Sequence, residues 1–171
     1  MQSVAPVYSA DFVRALAKEA LAKGDAVSGK KVFQLPLASC TACHAVDGVR
    51  GAVTSVKGPN LSAVAAGLPV DLLVESVLWP ARQIKEGYAA TTVITKDGRV
   101  LSGFTHSEDK TVLRVRDLAT GKIAPVQTSN IKQRTLNGTV MPPGLTASLT
   151  RAELRDLIKY LSTLKTTGEL K

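Results

Sequence analysis

Both cysteines and one of the two histidines of this 171-residue chain stand in a single pentapeptide, Cys40-Thr41-Ala42-Cys43-His44. Two thiols three residues apart can each add to a vinyl group of one haem, and the next residue then offers an imidazole to the iron. The pentapeptide therefore reads as a c-type attachment site for one covalent haem c, with Cys40 and Cys43 as tethers and His44 as the first axial ligand. A C-x-x-C pair also serves redox disulfides, but those sit in a strand-helix context of thioredoxin type that the flanking residues do not show. A zinc site would want a fourth good ligand, and no cysteine remains to supply one.

If iron is bound, its other face decides between electron transfer and ligand chemistry. The inventory for that face is short: His106, and Met141 as the one methionine besides Met1. Met141 lies in Asn137-Gly138-Thr139-Val140-Met141-Pro142-Pro143-Gly144-Leu145, where prolines fix the backbone and glycines permit close approach. A lone methionine is ordinarily core filler, but beside a haem motif this stiff loop favours it as the sixth ligand. His106 stands among polar residues in Thr105-His106-Ser107-Glu108-Asp109-Lys110 and reads as a solvated histidine at a hairpin tip.

Cys40 to His44, then Gly58-Pro59-Asn60-Leu61, then Met141-Pro142-Pro143-Gly144, resemble the class I c-type cytochromes. The resemblance implies that the Pro59 carbonyl orients His44, that Leu61 packs on the macrocycle and that Met141 completes the iron. The wider pattern also contains L-x-E-S-V-L, I-x-x-G-Y, T-x-D-G-x-x-x-S-G, a basic strand and a final L-x-x-Y-L helix. It is similar to a bacterial haem-binding domain family, often the C-terminal module of large secreted proteins, over residues 24 to 165. Trp79 before Pro80 departs from that pattern, where a small acidic residue is expected, and suggests an added haem-pocket or docking aromatic.

Helices must position these groups. Asp25 reads as the N-cap of a short helix that carries Gly29 and Phe33 on one face. Thr150-Arg151-Ala152-Glu153 is a capping box opening a last helix with Leu154, Leu157, Ile158, Leu161 and Leu164 on one stripe. The family resemblance implies that the two helices cross, with Gly29 facing Tyr160 or Leu161; two ordinary amphipathic helices would show the same pattern. Val70 to Trp79 forms a third helix stopped by Pro80, and residues 45 to 57 form a loop after the pentapeptide.

From Tyr88 to Leu136 the period shifts to alternation. Strands at 89–95 and 100–105 flank Asp97-Gly98, a two-residue hairpin signal. Further strands follow at 111–116 and 122–127, and a short fifth at Ile131 to Arg134. The expected fold is a mostly α cytochrome c core with an inserted small antiparallel β-module, α+β overall. The division is an N-terminal helical extension (1–23), a haem core (24–87 plus 137–165), the β-module (88–136) and a tail (166–171).

One tryptophan, three tyrosines and three phenylalanines are few large planar groups for this length, as suits a chain whose core is completed by a cofactor. No apolar run reaches membrane-spanning length, and residues 1 to 23 lack the apolar core of a signal peptide. Because haem is attached to this motif outside the cytoplasm, a periplasmic or otherwise exported location is expected, the chain being a mature form or an excised module. The net charge is +8, and the β-module carries eight basic and four acidic residues with Tyr88 and Phe104 as its only aromatics. That is too little stacking surface for a nucleic-acid reader; the charge suits solubility or the steering of an acidic redox partner. The expected activity is a monohaem, His/Met-ligated electron carrier and not an enzyme, with a dehydrogenase or another cytochrome as partner. A haem enzyme or gas sensor with a labile sixth site, and an interaction module docking a larger dehydrogenase, are the alternatives.

Overall fold

In the computed structural model, which describes residues 7–47 and 57–165, Ser9 accepts a hydrogen bond from the Phe12 N–H and starts helix α1, Ala10–Lys23. Most of the expected 45–57 loop lies outside the described residues, as do residues 1–6 of the N-terminal extension and the 166–171 tail. The chain continues through α2 (Ala26–Phe33), α3 (Val64–Gly67) and α4 (Val70–Leu78). Five strands follow, β1 (Ala90–Thr95), β2 (Val100–Glu108), β3 (Val112–Asp117), β4 (Ile123–Gln127) and β5 (Ile131–Gly138), and then α5 (Arg151–Thr163). Two compact units result: a helical unit up to Gln83 and again from Pro142, and a sheet unit, Ile84–Met141.

The helical unit is organised on α5. Its capping box is formed by Thr150 and Glu153, each side chain bonding the other's backbone N–H. One flank of α5, Leu154 and Ile158, packs with Val13, Leu16, Ala17 and Ala20 of α1 and with Val74 and Leu78 of α4. The other flank, Leu157, Tyr160 and Leu161, packs with Val32 and Phe33 of α2, with Leu73 and with Val46. Asp25 caps α2 by accepting from Val27 and Ser28 N–H. The crossing of α2 on α5 is made possible by Gly29: a Cβ there would stand 1.9 Å from the Asp156 carbonyl oxygen and 2.8 Å from the Tyr160 Cβ. Asp156, itself buried, accepts from the Asp25 N–H at 3.0 Å and ties the two helices at that point. Trp79 stands edge-on to Tyr8 (centroids 5.2 Å) and Phe12 (6.4 Å) and packs, partly buried, on the α1–α4–α5 cluster.

The sheet unit is a five-stranded antiparallel sheet in the order β4-β3-β2-β1-β5. Its own core is Val93, Leu113, Val115 and Val126, with Leu101 and Ile131 against them. The mostly α expectation is thereby corrected: 36% of the described residues are helical and 23% lie in strands, so the chain is an α+β protein. The sheet was under-read for a physical reason. β5 is polar and largely exposed, so no hydrophobic alternation marks it; its main chain pairs with β1 from Thr95↔Ile131 to Ala90↔Gly138, well past the expected end at Arg134.

Two local expectations also change. The β1–β2 turn has three residues, because the Gly98 N–H bonds to the Thr95 carbonyl and Thr95 pairs with Arg99. Only Gly98 there is left-handed (φ 85), which gives a glycine bulge and not a two-residue turn. His106 is not at a hairpin tip. It sits inside β2 at the register shift between Thr105 and Ser107, exposed, while the tip is formed around Asp109, whose carboxylate accepts from Thr111 and Val112 N–H.

Candidate functional site

The pentapeptide is delivered by the turn that ends α2. Ala38 and Ser39 N–H both bond to the Leu35 carbonyl, and Ser39, the one non-glycine with positive φ among the described residues (52°), reverses the chain into a 3-10 turn at Cys40–Ala42. The Cys40 carbonyl then accepts from both Cys43 N–H (3.2 Å) and His44 N–H (2.9 Å). This winding brings Cys40, Cys43 and His44 onto one tight turn, all three half-buried and both thiols free.

Burial sets the chemistry of these groups. It pushes the Cys40 thiol up to about 11, so at neutral pH that sulfur keeps its proton, which it directs at the Ala38 carbonyl 3.6 Å away. His44 is held below the ordinary imidazole value, chiefly by desolvation and against the opposing effect of its bond to Pro59. His44 Nδ1 lies 2.9 Å from the Pro59 carbonyl oxygen. A carbonyl can only accept, so Nδ1 carries the proton and Nε2 presents its lone pair. That is the tautomer a metal-binding imidazole needs, fixed by a backbone acceptor.

Pro59 is held opposite His44 by a short ladder. Leu61 N–H donates to the Ala45 carbonyl (2.8 Å), Asp47 N–H donates to Ser62 Oγ (2.8 Å), and Ser62 N–H donates to Asn60 Oδ1 (2.7 Å). Ser62 is 2% exposed, whereas Asn60 is exposed. Gly58 completes the arrangement: a Cβ on it would meet the Cys43 carbonyl oxygen at 2.7 Å, His44 Cε1 at 2.9 Å and Nδ1 at 3.0 Å. Leu61 is half-buried and packs, with Cys40, against the α2–α5 cluster.

Cys40, Cys43, His44, Pro59 and Leu61 thus come together in the helical unit. Met141 is the last residue of the sheet unit, half-buried, with its N–H on Thr139 Oγ1 at 3.1 Å, between left-handed glycines at 138 and 144. Sequence reasoning gave no separate role to Gly58, Asn60 or Ser62. The G-P-N-L string was the only available signal for the first two, and a serine after it carries none. The donor set suits a haem tethered by two thiols and ligated by one imidazole. Among the described residues no group of three or more His, Cys, Asp or Glu converges as a metal cage. Also among the described residues, no helix is long and apolar enough to cross a membrane. Compared with models of known protein families and with curated proteins, the chain matches none.

Proposed function

We propose that this protein is a monohaem c-type electron-transfer protein of the kind its motifs resemble, with His44 and Met141 as axial ligands. The observation that carries the reading is the Cys40–His44 turn, in which two free thiols flank an imidazole whose Nδ1 is engaged by Pro59 and whose Nε2 is left as a donor. Each thiol would add across one vinyl group of a bound haem: its sulfur would bond to one carbon and its hydrogen to the other, with no oxidant consumed. Haem bound in this way supplies an iron that alternates between ferric and ferrous states and so carries one electron.

His44 would ligate the iron through Nε2, and its bond to Pro59 keeps the ring from turning. Met141, the sole methionine besides Met1, would supply its thioether as the second ligand, which would raise the potential and disfavour oxygen chemistry. Leu61 lends apolar cover. Because attachment to this motif takes place outside the cytoplasm, the protein acts in the periplasm or another exported compartment and exchanges electrons with a dehydrogenase or a second cytochrome. Denaturing mass spectrometry of protein produced with haem-attachment machinery tests this: the expected mass is polypeptide plus one haem. Loss of the haem on acid-acetone extraction would overturn it.

A further inference from the structure

We infer that Ser62, acting with Asn60 and Gly58, is the positioning residue of the proximal imidazole and thereby tunes the iron it would hold. The inference rests on the haem reading but concerns residues that the reading does not need. Segments 44–47 and 59–62 face each other through three hydrogen bonds: His44 Nδ1 to the Pro59 carbonyl, Leu61 N–H to the Ala45 carbonyl, and Asp47 N–H to Ser62 Oγ. The last of these is accepted by the Ser62 hydroxyl, so its geometry depends on that one side chain. That hydroxyl is buried, and its own backbone is pinned by Asn60 Oδ1, so the rung cannot be replaced by water without opening the ladder.

Gly58 acts by having no side chain. Even one methyl carbon there would press on His44 Cε1 and Nδ1, the atom that bonds the Pro59 carbonyl. The length of the Nδ1–H···O bond is therefore set by a clasp with a polar pin at one end and a steric stop at the other. A short bond of this kind gives the ring more imidazolate character and makes it a stronger donor, which favours ferric iron. Loosening the clasp lengthens the bond and favours ferrous iron.

The test uses the haem-loaded full chain and compares Ser62→Ala, Ser62→Thr, Asn60→Ala and Gly58→Ala with the parent. In Ser62→Ala the reduction potential should rise, the ferric electron paramagnetic g-values should shift, and the Asp47 amide should exchange with solvent roughly fivefold faster. Ser62→Thr keeps the hydroxyl and should return all three toward the parent. Gly58→Ala should broaden or split the ferric signal as the ring finds more than one seat. Asn60 is exposed, so Asn60→Ala folds even if a Ser62 variant does not, and a smaller rise in potential is expected from it. Parent-like potential and g-values in Asn60→Ala together with every Ser62 variant that retains low-spin haem would overturn the proposal. If the parent chain itself carries no covalent haem, the underlying reading fails instead, and the proposal fails with it.

Discussion

A half-buried imidazole with its Nδ1 proton on a backbone carbonyl is a group prepared to donate from Nε2. Among single residues the sharpest test is therefore on Met141, the second ligand proposed above. Replacing Met141 with Ala should leave covalent haem in place, lower the potential, and convert a ferrous form that ignores carbon monoxide into one that binds it stoichiometrically. His106→Ala should change neither property, because His106 lies exposed in the β2 bulge of the sheet unit. Absorption spectra in both oxidation states, with and without carbon monoxide, decide the matter. A Soret change in His106→Ala without one in Met141→Ala would reverse the assignment.

At the scale of elements, the α2–α5 crossing is where small changes should have large effects. Gly29→Ala places a carbon 1.9 Å from a backbone oxygen that has no rotamer to escape into, so the helices must separate. We expect a loss of about 3 kcal/mol, the upper end for overpacking, read as a lower urea midpoint; a change under about 0.5 kcal/mol would show that the helices can slide. Much of this layer was legible beforehand. Thr150 to Glu153 announces its cap by spacing alone, and Asp25 by its place before an amphipathic turn. What could not be read was set by tertiary pairing. The polar run Ile131-Lys132-Gln133-Arg134-Thr135-Leu136-Asn137-Gly138 is a strand because β1 offers it a backbone partner, and Ser62 matters because Asp47, fifteen residues earlier, turns its N–H toward it. Likewise the edge-on contacts of Trp79 with Tyr8 and Phe12 join segments far apart in sequence and could not be read from it.

For the whole molecule, the topology of the sheet unit has a practical corollary. Its first and last strands are paired neighbours, with Ala90 opposite Gly138, so the chain enters and leaves the sheet side by side. Such an element can be removed with little strain on what flanks it. A variant in which a short Gly/Ser linker joins Gly87 to Thr139 keeps Met141 and every helix. It should still attach haem and show a low-spin spectrum, with some loss of thermal stability. Failure to incorporate haem, or a high-spin spectrum, would mean that the sheet helps to build the iron site.

The helical unit is discontinuous in sequence, and this bears on the order in which the protein is made. Leu157, Tyr160 and Leu161, which complete the apolar cluster against Cys40, belong to α5 and emerge last. The sheet, contiguous from Ile84 to Met141, can fold while α1, α2 and α4 are still waiting for that helix. During this interval the apolar cluster that Cys40 packs against is incomplete. Chain order thus opens a window in time: Cys40 stays more accessible to an attachment enzyme until α5 joins the cluster, and a circular permutation that brought α5 forward would shorten it.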